Sequence, residues 1–224
     1  MCWSATADLV AGTAITAVGV ACLVRARSLR ELPLAALPLI LGAHQLVESA
    51  VWRAGGGAGP ATVAWAVIAL PLLAVWVPCA VALAAPPGAR RRLALPAAAG
   101  LVTAGFLGYA LARHPVSADI RGRTIGYAIG LPHPAPLVAG YLVATVGALL
   151  LGGDRAVRLL GVVVALGAVG CAVLWRLEYV STWCAVAAVA SAVLVVRGRS
   201  PAGAEGGAEG GPEGRAEGRN RPWR

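Results

Sequence analysis

The chain reads as an all-α polytopic membrane protein of about seven transmembrane helices, with the N-terminus outside the cytoplasm and the C-terminus inside. Three observations carry this reading. Hydrophobic residues make up 58% of the 224 and charged residues only 13%, with a mean hydropathy of +0.75, whereas a soluble domain is about a quarter charged. The apolar residues fall in stretches close to the roughly 20 that cross a hydrocarbon core. The basic residues cluster between alternate stretches, as cytoplasmic loops require. This composition excludes an ordinary soluble globule and, outside the C-terminal tail, an intrinsically disordered chain.

In order, the apolar stretches are 8–24, 33–52, 61–85, 93–112, 135–152, 157–175 and 178–196. The first has no basic segment before it and is followed directly by Arg25 and Arg27, which marks a retained helix rather than a cleaved signal. Pro38, Pro71 and Pro78 fall inside the second and third stretches. Neighbouring helices or waters can satisfy the carbonyls they free. Small residues recur every four positions in the fifth stretch (Gly140, Ala144, Ala148, Gly152) and in the fourth (Gly100, Ala104, Gly108). They predict close helix contacts where lipid supplies no hydrophobic drive.

Residues 113–134 form the one long loop between spans. Ile120, Ile125, Tyr127 and Ile129 flank Arg121-Gly122, which predicts a short extracytoplasmic β-hairpin turning at that pair. His114-Pro115 and Pro132-His133 bracket it, so a hairpin brings the two histidines together. The organisation is therefore a transmembrane domain over 1–198 and a cytoplasmic tail over 199–224. The tail repeats Ala-Glu-Gly without apolar periodicity and reads as disordered.

All 19 basic residues are arginine. With the N-terminus outside, 14 lie in or beside cytoplasmic segments, namely Arg25, Arg27, Arg30, Arg90, Arg91, Arg92, Arg155, Arg158 and six in and before the tail. Five lie outside: Arg53, Arg113, Arg121, Arg123 and Arg176. The +9 charge is thus a topological signal, and the partner it implies is the lipid bilayer, not nucleic acid. Without lysine no retinal or pyridoxal Schiff base can form, which excludes a rhodopsin despite the helix count. An all-arginine, Ala/Gly-rich chain fits a high-GC bacterial genome, and hence the bacterial cytoplasmic membrane. Metalloprotease, P-loop, nucleophile-elbow and dinucleotide fingerprints are absent, as is any CxxC pair.

Ionisable groups within spans are costly and mark function. Glu48 lies inside the second stretch, and His44, four residues earlier, shares its face with Trp52. The packing reading is a His44–Glu48 hydrogen bond that locks helices together. The functional reading is a ligand or divalent metal held by His44 and Glu48. The predicted topology brings Cys2, Ser4, His114, Glu178, Trp183 and Cys184 to the same side, with no residue assigned to catalysis. Cys2 and Cys184, facing the oxidising compartment, form a candidate disulfide. Cys22 and Cys79 read as small apolar fillers, and Trp52, Trp175 and Tyr179 as an interfacial belt.

At three places the chain resembles an uncharacterised family of bacterial multi-pass membrane proteins, a domain of unknown function. Met1-Cys2-Trp3-Ser4-Ala5-Thr6-Ala7 is similar to that family's Met-Cys-Phe-Ser-Ala-Thr-Ala-Ser opening, departing at Trp3 and Asp8. Arg30-Glu31-Leu32-Pro33, then His44-Gln45-Leu46-Val47-Glu48 and Trp52, resemble its second span. Thr182-Trp183-Cys184-Ala185 through Ala188 resembles a run near its last. The resemblance covers most of 1–196 and implies a multi-pass topology without an activity.

Three functional readings follow. The residues favour a binding, sensing or structural membrane protein with an extracytoplasmic polar site. The second is a metal-dependent or redox membrane enzyme using His44 and Glu48 with Cys2, His114 or Glu178. The third is a small-solute transporter, for which the chain lacks a visible repeat.

Orientation is directly testable. A reporter active only in the cytoplasm should work when fused after Arg199, and one active only outside should work when inserted in loop 113–134. The reverse pattern would overturn the assignment.

Overall fold

The computed structural model describes residues 4–131 and 134–174 together with positions 186 and 190. Six of its helices are long and apolar enough to cross a membrane: α1 (Ala5–Val24), α2 (Leu32–Arg53), α3 (Pro60–Ala84), α4 (Pro87–Arg113), α5 (Pro134–Leu151) and α6 (Arg155–Val173). They match the first six predicted spans. The predicted seventh span, apart from helical positions 186 and 190, lies outside the described residues, as does the tail.

Local chemistry sets the helix ends. Ser4 caps α1, its hydroxyl accepting from the Ala7 amide at 3.2 Å. Asp154 does the same for α6, its Oδ1 accepting from the Ala156 and Val157 amides at 2.8 and 3.2 Å. Helices α3, α4 and α5 each open on a proline, whose fixed φ and missing amide suit a first turn. Inside α3, Pro71 lies in a wider π-turn over Ile68–Leu72. The Ala69 carbonyl of that turn accepts from the Tyr141 hydroxyl of α5 at 2.6 Å. A neighbouring helix thereby supplies a donor where lipid has none. Trp76 of α3 likewise donates to the Pro33 carbonyl in the first turn of α2 at 2.9 Å.

Glycine sets how closely the helices approach. Helices α1 and α2 run antiparallel along their length, from Ser49 beside Ala5 to Leu39 beside Gly19. A Cβ on Gly19 would stand 2.6 Å from the Leu39 amide nitrogen, and one on Gly12 would stand 2.9 Å from the Leu46 side chain. Gly42 faces Thr16 with no space for a Cβ. The stripe predicted in α5 is real: Ala144 and Ala148 are fully buried, and Gly140 meets the Thr103 hydroxyl of α4. In α4 only Gly100 behaves as expected, pressed against the Ala74 carbonyl. Gly108 has open space around its Cβ position. The every-four pattern there continues past the contact because α4 presents Leu101, Val102, Phe106 and Tyr109 outward.

The predicted hairpin forms. Strands β1 (Val116–Arg121) and β2 (Thr124–Ile129) pair antiparallel, with Arg121 opposite Thr124. The turn is Gly122-Arg123, one residue later than the Arg121-Gly122 expected. Gly122 takes the first central position with φ +63°, a conformation glycine adopts without strain and arginine resists. The α2–α3 loop then docks on β1. Gly57 and Ala118 exchange both backbone hydrogen bonds, at 2.8 and 3.0 Å. Gly56, at φ +79°, approaches so closely that a Cβ would lie 2.6 Å from the Ala118 carbonyl oxygen. The hairpin therefore covers the bundle end where α2 finishes and α3 begins.

Two glycine substitutions separate seam from surface. Gly19→Ala should lower stability by about 1–3 kcal/mol, since the Leu39 backbone has to move. Gly105→Ala, with nothing near its Cβ position, should be neutral or gain up to about 1 kcal/mol through helix propensity. Thermal unfolding of purified protein compares them, and equal losses would refute the close-packed seam.

Candidate functional site

Beneath the hairpin lies a polar cluster with no place in an ordinary apolar core. Helix α2 contributes His44, Gln45, Glu48 and Ser49, all at most 2% exposed. The i,i+4 spacing of His44 and Glu48 puts both on the face toward α3 and the hairpin. Gln45 and Ser49 share the adjacent face toward α1, where the Ser49 hydroxyl donates to the Ala5 carbonyl at 2.7 Å. That contact, with Gly12 facing Leu46 and Gly42, sets Asp8 of α1 at the level of Gln45. Asp8 is completely buried.

From α3 comes Trp65, also with no exposure. Its ring lies 5.1 Å from the His44 ring, tilted by 47°, and stacks on Tyr127 of β2 at 3.4 Å and 6°. The Tyr127 hydroxyl donates to Glu48 Oε1 across 3.5 Å. Tyr127 thus binds the bundle twice, by ring stacking and by a long hydrogen bond to a carboxylate. Thr62, one turn before Trp65, is buried as well and donates to the Gly57 carbonyl at 2.9 Å. This bond fixes the loop that holds β1.

The hydrogen bonding departs from expectation. His44 and Glu48 are neighbours on one face, but the predicted bond between them is not made. Among the described residues, neither ring nitrogen of His44 has a hydrogen-bond partner, nor do Nε2 and Oε1 of Gln45 or Nε1 of Trp65. Every described arginine is exposed, while the buried acids among the described residues are Asp8 and Glu48.

The other predicted site residues divide into two groups. Ser4 is exposed and serves as the α1 cap. His114 is exposed at the end of α4, its ring over Gly130 and outside the buried cluster. Cys2, Glu178, Trp183 and Cys184 lie outside the described residues, as do His133 and Arg176, and so does the candidate Cys2–Cys184 disulfide. Cys22, Cys79 and Cys171 are free thiols. Among the described residues no three His, Cys, Asp or Glu side chains converge as a metal site.

Sequence reasoning missed six members: Gln45 and Ser49 on α2, Thr62 on α3, and also Asp8, Trp65 and Tyr127. Asp8 is the sole acid of the first apolar stretch, a signal hidden by its position in a first helical turn, where an acid also suits the helix dipole. Trp65 looked like one more apolar residue of its span. Tyr127 was legible as a strand residue, but which element its ring would meet was not.

A family model matches residues 1–207. The chain belongs to the family of unknown function DUF6629. The DUF6629 match takes in every described helix, the hairpin and the whole buried cluster, so the site lies within the family's own extent. It agrees with the resemblance drawn from the opening, second-span and late-span motifs. Comparison with curated proteins and with solved structures found no match.

The two attachments of Tyr127 differ in size. Tyr127→Phe keeps the stack and should cost about 0.5–1.5 kcal/mol for the lost hydroxyl contact. Tyr127→Ala removes both and should cost at least about 2 kcal/mol more. Thermal unfolding of the two variants measures the difference. Equal effects would mean that the stack does not hold the hairpin.

Proposed function

We propose that this chain is a non-enzymatic binding, sensing or structural protein of the bacterial cytoplasmic membrane. In this reading it has seven spans, N-terminus outside and C-terminus inside, with the polar cluster on the extracytoplasmic side. The observation that carries the reading is the set of wholly buried polar side chains His44, Gln45 and Glu48 beneath a docked hairpin. Such groups are expensive in a membrane interior and are kept where they serve a purpose. The orientation is supported by the arginine distribution, 14 inside against five outside. The same orientation sets the hairpin and the cluster outside the cytoplasm.

A binding or sensing role fits the cluster better than hydrolytic chemistry. Its two aromatic rings are in van der Waals contact, and among the described residues no serine or cysteine is hydrogen-bonded to His44. A metal-dependent role would require further ligands from Cys2 or Glu178.

Metal content and thermal stability of wild type, Glu48→Gln, Glu48→Ala, His44→Ala and His133→Ala test this proposal. The expected result is metal-free wild type, Glu48→Gln within about 1 kcal/mol of it, and Glu48→Ala less stable, because the amide retains most hydrogen bonds. Stoichiometric metal that both Glu48 variants and His44→Ala lose would overturn it, since an amide is a poor zinc ligand.

A further inference from the structure

Among the described residues, three buried side chains of the cluster carry five polar atoms without hydrogen-bond partners: both ring nitrogens of His44, both side-chain polar atoms of Gln45 on the adjacent face of α2, and Nε1 of Trp65 against His44. None of the three side chains is more than 1% exposed. A buried polar group left unpaired is costly, and in a membrane the backbone and lipid around it cannot compensate. One such atom is ordinary; five on three side chains of one cluster form a pattern. Helices α1 and α3 flank these residues, and the Tyr127–Trp65 stack closes the end toward the hairpin.

We infer that His44, Gln45 and Trp65 form a binding site for a small neutral molecule bearing a hydrogen-bonding oxygen. The inference rests on the binding reading above and names the ligand class. The donor inventory selects it. Neutral imidazole offers one N–H and one acceptor, the glutamine amide offers two N–H and a carbonyl, and the indole offers one N–H. Donors therefore outnumber acceptors, which suits a hydroxyl or water oxygen that accepts two bonds and returns one, or a carbonyl oxygen that accepts two. An anion is disfavoured because every described arginine, the cation that would hold it, is exposed. A bulky ligand is disfavoured by the 3.4 Å stack. Water and a small solute share this chemistry, and an ordered water with about three polar partners is a stable component of a protein interior.

The test uses full-length protein in lipid nanodiscs, labelled with 15N-histidine. The chain has three histidines, and the double variant His114→Gln, His133→Gln leaves only the His44 ring visible. Hydrogen-bonded 15N shifts with magnetisation transfer from water would identify water as the occupant. Hydrogen-bonded shifts without that transfer, and one equivalent of a neutral solute released on denaturation and found by mass spectrometry, would identify a solute. Shifts typical of a ring without hydrogen bonds, with neither water transfer nor released solute, would overturn the inference. The double variant leaves the cluster intact, and the wild-type release measurement stands if it does not fold. A dry His44 with the predicted reporter topology defeats the ligand alone. A reversed topology defeats the extracytoplasmic reading and leaves the ligand result standing.

Discussion

Hydrocarbon offers no hydrogen bonds, so every backbone polar group at membrane depth needs a partner from the protein itself. The spans follow from that constraint, because a helix pairs its own amides and carbonyls. Its irregular places obey the same rule. The π-turn around Pro71 leaves a carbonyl that Tyr141 of another helix satisfies at 2.6 Å. The start of α2 is held by Trp76 through the Pro33 carbonyl. Where the chain leaves helix between α2 and α3 and between α4 and α5, the two irregular segments pair with each other through Gly57 and Ala118. The hairpin is thereby joined to the bundle and does not hang from it.

Once the backbone is satisfied, side-chain size decides which helices meet. Between α1 and α2 the contacts run through Gly12, Gly19 and Gly42, and a methyl group at any of them would collide with the partner. Close approach brings dispersion contacts that replace the missing hydrophobic drive. It also brings the Asp8 and Gln45 levels together, so the seam that packs the helices delivers one half of the polar cluster. The α2–α3 contact and the hairpin deliver the other half through Trp65 and Tyr127.

The cluster couples opposing demands. Glu48 and His44 sit where charge and unpaired polarity are both penalised, yet they are completely buried. Tyr127 reconciles them with the surroundings in part, giving Glu48 a hydroxyl and giving Trp65 a ring. His44 and Gln45 retain hydrogen-bonding capacity that no described residue uses. The helical spacing permits a His44–Glu48 bond, but the ring turns toward Trp65 instead.

Sequence alone determined the membrane class, the positions of six spans, the hairpin in loop 113–134 and the pairing of His44 with Glu48 on one helix face. Each of these is local. Hydropathy over about 20 residues, a two-residue strand period and a 3.6-residue helical period are all properties of neighbouring positions. Tertiary structure alone decided that Asp8 joins the cluster, that Trp65 and Tyr127 stack above His44, and that His114 stays exposed. Those outcomes depend on which faces meet, and an Ala- and Gly-rich chain carries small-residue stripes on several faces at once. Gly100 and Gly108 belong to one stripe in sequence, yet only Gly100 meets a neighbouring helix, because helix orientation is settled by packing of the whole bundle and not by any pattern within one span.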